Sequence, residues 1–173
     1  VIHKGHGDVV LKILKPYLPE FVKGHTTPYQ EGGALYAVGL SYAGYGSCAV
    51  SHFTPYLQPN VNNIVQHGAC LGVGLAAMGS LTKDLYTTLL SILEVGDAIS
   101  GEAAAIGIGL VMLGSANIDV YSHLKNLMVT SKHEKIQRGI ALALSMLFSL
   151  KTKFANSYIE ELISDTVNIS IIH

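Results

Sequence analysis

Three stretches decide how this chain folds: Gly33-Ala-Leu-Tyr-Ala-Val-Gly-Leu-Ser-Tyr-Ala-Gly44, Gly68-Ala-Cys-Leu-Gly-Val-Gly-Leu-Ala-Ala-Met-Gly79 and Ala103-Ala-Ala-Ile-Gly-Ile-Gly-Leu-Val-Met-Leu-Gly114. They superpose without gaps at an offset of 35 residues. Four columns are identical in all three copies: Ala34/Ala69/Ala104, Gly39/Gly74/Gly109, Leu40/Leu75/Leu110 and Gly44/Gly79/Gly114. A fourth copy, Gly139-Ile-Ala-Leu-Ala-Leu-Ser-Met-Leu-Phe-Ser-Leu150, follows 36 residues later, with Ser145 and Leu150 in place of the two repeated glycines. Self-similarity at a period of about 35 residues is the mark of a repeat architecture.

Between these blocks lie more amphipathic stretches, Asp8 to Leu18, Ser47 to Leu57, Thr82 to Leu93 and Asn117 to Met128. In the third, Leu85, Leu89, Leu90 and Leu93 form an apolar stripe at helical period, and strand alternation is missing. Ser, Thr or Asp before these stretches and Gly after the small-residue blocks supply capping chemistry. Each period therefore reads as a helical hairpin, and the chain as an all-α solenoid of about four hairpins, an armadillo- or HEAT-like superhelix. The periods are set at 28–62, 63–97 and 98–132, preceded by a partial repeat and loop (1–27) and followed by a degenerate repeat and the start of the next (133–173). Pro55 and Pro59 close the helix before the second block, and Pro28 stands ahead of the first. Pro19 to Gln30 is expected to be the longest irregular segment.

An interior helical glycine costs roughly 0.8–1 kcal/mol relative to alanine, so its recurrence requires compensation. Gly68 and Gly72, like Ala105 and Gly109, stand four apart on one helix face, where missing side chains let neighbouring helices approach until backbone meets backbone. The small-residue helices are then the crowded inner layer and the Leu/Tyr-bearing helices the outer one. Gly39, Gly74 and Gly109 packed on adjacent helices mark a scaffold; the same glycines around an open polar cleft would mark an enzyme.

Composition narrows the function. The 173 residues are 49% hydrophobic and 13% charged, with 18 Gly and no Trp, against about 25% charged in an average globular domain. Disorder is excluded by that apolar content. A net charge of -1 leaves no basic surface for nucleic acid or for an anionic membrane. The longest uncharged run, Ala103 to Ile118, is 16 residues, short of the roughly 20 needed to span a bilayer, and reads as a buried helix. Cys48 and Cys70 lack ligand or redox spacing and read as packing residues of a reducing compartment. Val1 is not Met and opens no signal pattern, so an excised piece of a longer protein is expected.

Several sharper motifs dissolve on inspection. Gly72-Val-Gly-Leu-Ala-Ala77 matches a dinucleotide fingerprint, but a polar helical lead-in, Asn62 to His67, replaces the strand that motif needs. Eight histidines are scattered; His3 and His6 share a helix face without a carboxylate or thiol at ligand spacing, so no metal site is expected. Glu160-Glu161 reads as a solvated helix pair. Tyr36, Tyr42, Tyr86 and Tyr121 read as half-buried seam residues, since no basic residues interleave with them. His67, Glu102 and Arg138 occupy equivalent positions at the start of the small-residue helix, with Gly32 in the first copy; three different polar groups there suggest turn or neighbour contacts and a candidate inner surface. No catalytic, cofactor or metal residues are assigned. The signature residues are instead the repeat set itself: Gly39, Leu40, Gly44, Gly68, Gly72, Gly74, Leu75, Gly79, Gly107, Gly109, Leu110, Gly114 and Gly139.

The runs His67 to Gly79, Gly101-Glu-Ala-Ala-Ala to Gly114 and His133-Glu-Lys-Ile-Gln-Arg-Gly139 resemble the proteasome/cyclosome (PC) repeats, and more narrowly the type found in the larger of the two PC-repeat subunits, the largest non-ATPase subunit, of the proteasome regulatory particle. Ile2-His-Lys-Gly-His6 and Tyr29 to Leu40 are similar in the same order. The resemblance implies an arc of a toroid of two concentric helix rings. It implies a non-catalytic scaffold in the base of the regulatory particle, cytoplasmic and nuclear, that contacts ATPase and lid subunits and helps place a ubiquitin receptor. Ser164 to His173, with Ile171 and Ile172, departs from the family, where basic residues are common, and the cut ends of the arc are expected to self-associate artificially. An enzyme that binds a small molecule on a helical toroid, or a HEAT- or TPR-like adaptor outside the proteasome, are the rival readings.

Overall fold

The computed structural model describes residues 5–21, 27–149 and 152–165, and its ordered elements are all helical. Helix α1 spans Gly7–Leu14 and runs into a 3₁₀ turn, Lys15–Tyr17. The four small-residue blocks form α2 (Pro28–Ser41), α3 (Asn63–Ala76), α5 (Ser100–Val111) and α7 (Glu134–Leu147). Between them lie α4 (Lys83–Val95) and α6 (Ile118–Thr130), and α8 (Thr152–Asp165) follows. Their starts obey capping chemistry. Thr27 and Gln30 form a reciprocal capping box ahead of Pro28, and the side chains of Asn62 and Asn117 accept from the first-turn amides of α3 and α6.

The small-residue helices stack in one layer in the order α2, α3, α5, α7, each on its predecessor. The amphipathic helices pack against the next small-residue helix, α4 on α5 and α6 on α7. Helices α4 and α6 scarcely touch each other, and a 3.0 Å hydrogen bond between the Tyr86 hydroxyl and His123 Nδ1 spans the gap. One layer is dense and the other is spaced. The core runs continuously between them through Leu35, Val73, Leu89, Ile108, Leu124 and Leu144, all buried. This is a helical-repeat solenoid.

Several expectations change. Ser47 to Leu57 is not an α-helix but two 3₁₀ segments, Gly46–His52 and Thr54–Leu57. Pro55 lacks an amide hydrogen and its ring would strike the carbonyl of residue 51 in an α-helix, so the chain tightens instead. The apolar run from Ala103 is not one helix: α5 ends at Val111, Gly114 turns with φ +68°, and Ile118 begins α6. Pro28 to Gln30 is the first turn of α2 rather than irregular chain, because Thr27 caps it. The remainder of that loop at 22–26, most of the 2–6 block including His3, Leu150, and Ile171 and Ile172 lie outside the described residues. No helix among the described residues is long and apolar enough to cross a membrane.

Candidate functional site: the glycine seams and the open helix face

Residues two apart on a helix point about 200° apart, whereas residues four apart share a face. Gly-x-Gly thus gives a helix one bare position for each of two neighbours. A Cβ on Gly74 would stand 2.8 Å from Gly107 Cα, and one on Gly109 would stand 2.6 Å from Ala143 Cα, so these glycines face forward onto the next repeat. Gly39 faces Gly72 Cα in the same way. The companion glycines face backward: a Cβ on Gly72 would meet the Leu35 carbonyl oxygen at 2.8 Å and one on Gly107 the Cys70 oxygen at 2.9 Å, and one on Gly139, in the column one turn earlier, would meet the Glu102 oxygen at 2.9 Å. Gly68 lies on the Gly32 backbone. Such spacing permits Cα–H···O contacts between adjacent helices. In the fourth copy, Ala143 takes the backward position, while Ser145 in the forward position is exposed and donates its hydroxyl to Leu142 O at 2.7 Å.

The remaining signature columns close the turns. Gly44, Gly79 and Gly114 have φ of +79°, +70° and +68°. Their amides donate to the C-terminal carbonyls of the following small-residue helix: Gly44 N to Leu75 O at 3.0 Å, Gly79 N to Leu110 O at 2.9 Å and Gly114 N to Met146 O at 3.0 Å. Two residues later Leu81 and Ala116, also at positive φ, donate to Val111 O and Leu147 O. Each of these two turns therefore supplies two donors to the last carbonyls of the next helix, which lie beyond its regular i→i−4 ladder; Leu110 O and Met146 O are shared with Leu113 N and Ser149 N of their own turns. The Leu40/Leu75/Leu110 column provides those acceptors in two of its three members. Ala34, Ala69 and Ala104 are small because they are buried in the layer.

Away from the seams, the small-residue helices present one open face. It carries rows of equivalent residues: Tyr36, Leu71, Ile106 and Leu142, then Leu40, Leu75, Leu110 and Met146. Tyr36 and Leu142 are exposed, at 40% and 45%, and Leu71 and Ile106 between them are partly so. One turn before Leu71, Ile106 and Leu142, the equivalent positions hold His67, Glu102 and Arg138. His67 is half-buried, and burial holds its pKa below the ordinary histidine value; Glu102 nearby pulls the other way, and Lys135 adds to the lowering. Arg138 is exposed and approaches Glu134 one turn back at 3.9 Å. The row is thus brought together only in part, His67 with Glu102.

The chemical motifs fare as their contexts dictate. Gly72 to Ala76 is helix interior packed on Phe53 and on Leu35, with no strand or phosphate-facing helix end. No group of three or more His, Cys, Asp or Glu among the described residues is placed to hold a metal. Cys70 is fully buried, and burial pushes its thiol up to about 12, while Cys48 is exposed. Glu161 is more than a solvated helix residue: it accepts from the Tyr121 hydroxyl and from Lys125 Nζ, both at 2.7 Å, tying α8 to α6. Sequence reading missed Phe53, which fills the space above Gly72, and Gln66, buried and donating to Gln58 O at 3.0 Å. It also missed Asp97, whose Oδ1 accepts from the amides of Ile99 and Ser100 and whose Oδ2 accepts from Asn63 Nδ2. Asp97 had a signal in its position just ahead of a helix.

Comparison with known proteins agrees with this geometry. A family model, proteasome/cyclosome repeat, matches residues 103–137, the period that runs from α5 through α6. The chain is 40% identical over 165 residues to 26S proteasome non-ATPase regulatory subunit 1 of Drosophila melanogaster, 95% of this chain and 16% of that protein. It is 39% identical over 166 residues to homolog B of that subunit in Arabidopsis thaliana, with the same coverage. It is 36% identical over 165 residues to 26S proteasome regulatory subunit rpn2 of Schizosaccharomyces pombe, 95% of this chain and 17% of that protein. The chain thus spans about a sixth of the length of the curated relatives it matches. A repeat-model match on the period whose glycine seams are described above, with that similarity along nearly the whole chain, places it in the proteasome/cyclosome-repeat family.

Proposed function

We propose that the chain is a non-catalytic scaffold segment of the proteasome regulatory particle, working in its base and supporting ubiquitin-dependent degradation by holding partner proteins in fixed relation. The observation that carries this reading is the use made of the signature glycines. Gly39, Gly74 and Gly109 each lie against the backbone of a neighbouring small-residue helix. Residues spent on backbone-to-backbone packing stiffen an array and leave its faces for contact, as repeat proteins do.

In this reading the dense layer is the inner side of an arc that continues into a ring, because closer spacing on one side of a stack bends it toward that side. The polar row of His67, Glu102 and Arg138 and the apolar rows beside it then face inward. ATPase and lid subunits, and in the full-length protein a ubiquitin receptor, are the partners, in the cytoplasm and nucleus where that particle works. The rival reading, an enzyme with glycines around a ligand pocket, is disfavoured by the same seam geometry.

The test is isolation of the full-length protein through an affinity tag. Co-purification with proteasomal ATPases is the expected outcome, and its recovery without any regulatory-particle subunit would refute the proposal.

A further inference from the structure

The spaced outer layer leaves a groove of about 600 Å³ between α4 and the turn from Gln58 to Asn63. Its apolar lining is Leu57, Pro59 and Ile92, with the exposed Val95 at its edge, and its lining includes Asp84 and Asp97 with no Lys, Arg or His. The helix wall shows one hydrogen-bonding sense. Thr87, Thr88 and Ser91 donate their hydroxyl hydrogens back to Lys83 O, Asp84 O and Thr88 O, at 2.9, 2.9 and 2.7 Å. A hydroxyl has one hydrogen and two lone pairs, so these three side chains turn only acceptors to the groove. Asp84 adds a carboxylate one turn away. The opposite wall is fixed: Asn63 donates to Asp97 Oδ2 at 2.8 Å, and the other Asp97 oxygen is taken by the start of α5. His133 is close enough to Asp97 to favour its charged form, but lines the next groove along.

An acceptor-only wall with negative charge over an apolar floor suits a side chain with many donors, a positive charge and an aliphatic stem. Arginine has five donors in a planar fork and a three-carbon stem that lies on apolar surface. Lysine, a compact point charge, matches a row of separate acceptors less well. We infer that this groove docks an arginine-bearing segment of a partner protein, with a guanidinium on Asp84 and Thr88, Ser91 accepting from the segment further along the groove, and the apolar stem toward Ile92. The inference adds a partner chemistry to the scaffold reading but stands on the groove alone, so peptide binding and co-purification fail independently.

The experiment is fluorescence anisotropy on the full chain with a blocked, fluorescein-labelled peptide of alternating arginine and serine. A peptide with citrulline in place of arginine, nearly the same shape without the charge, serves as comparison. The arginine peptide is expected to bind about tenfold or more tighter, as charge-assisted hydrogen bonds exceed neutral ones. Asp84→Asn and, separately, Thr88→Val should each weaken it by about threefold or more, the scale of one lost hydrogen bond. Asp119→Asn, on α6 outside the groove, should leave it unchanged. Thermal melts identify any variant that fails to fold, in which case Ser91→Ala, at an exposed position, replaces it. No binding, equal binding of both peptides, or indifference to the groove variants would each overturn the inference.

Discussion

At the scale of single residues, one column of the repeat separates two roles of glycine that its sequence cannot. Gly33 and Gly68 are equivalent positions, yet a Cβ on Gly33 meets nothing within 4 Å, whereas one on Gly68 would overlap the Gly32 backbone. The difference is the neighbour: α3 lies on α2, but no small-residue helix lies before α2 among the described residues. Gly33→Ala is therefore expected to stabilise the chain by about 0.5–1 kcal/mol, since alanine restricts the unfolded chain and favours helix. Gly68→Ala should destabilise it by about 1–3 kcal/mol, the range for overpacking where the obstacle is backbone. Gly74→Leu and Gly109→Leu belong to the second kind and should be worse. Thermal unfolding reads all four; a lower midpoint for Gly33→Ala, or an unchanged one for Gly68→Ala, contradicts the seam geometry. The columns themselves were legible, because four identical positions at one fixed spacing in three copies hardly arise by chance. Which neighbour each glycine serves was not, since that depends on which helix lies on either side.

At the scale of elements, the sequence shows the four small-residue helices and their order but misjudges the first stretch between them. Ser47 to Leu57 has the apolar content of its counterparts, and only Pro55 signals that an α-helix cannot form there. Phe53 does in that segment what Leu89 does in α4: each lies against a backward-facing glycine of the next helix, Gly72 and Gly107 respectively. Both are fully buried. Phe53→Ala should thus cost about 3–5 kcal/mol despite its place in a 3₁₀ segment, and a loss below ~1 kcal/mol in denaturant unfolding would show that the segment is dispensable. Helix α5 depends on a cap three residues ahead of its first residue, Ser100. Burial alone would raise the Asp97 pKa, but the amides of Ser100 and Ile99, the Ser100 hydroxyl and nearby His133 together hold it below the ordinary value. A carboxyl depressed in the folded state contributes stability above its unfolded pKa of about 3.9, and that contribution disappears as pH falls through the folded value. Asp97→Asn keeps the accepting oxygen and removes the charge. Its melting temperature should lie below that of the parent at pH 7, and the two should converge as the solution is acidified well below pH ~4. A difference that stays constant across that range would mean that Asp97 acts through shape rather than charge.

At the scale of the molecule, extensive packing between small-residue helices joins, among the described residues, successive members only: α2 with α3, α3 with α5, α5 with α7. Stability in such an array is close to a sum of repeat and interface terms, and damage at one seam need not spread to the others. The turn hydrogen bonds follow the same rule, since Gly79 and Leu81 reach α5, and Gly114 and Ala116 reach α7, and among the described residues none of these turns skips a repeat. The seam between α5 and α7 offers the sharpest test, because Gly109 meets Ala143 on backbone and side chain together while Gly39 and Gly72 hold the distant seam unaided by it. In Gly109→Leu, hydrogen exchange at a temperature where the chain remains folded should accelerate most in α6 and α7. Amides of α3 that face α2 should keep most of their protection. Equal acceleration from α2 to α7 would mean that the chain unfolds as one cooperative unit, and the neighbour-by-neighbour description would be wrong. The graded result would also explain how one sequence rule can extend an array of any length: each repeat needs only a bare glycine toward its predecessor, another toward its successor, and a turn that caps the helix ahead.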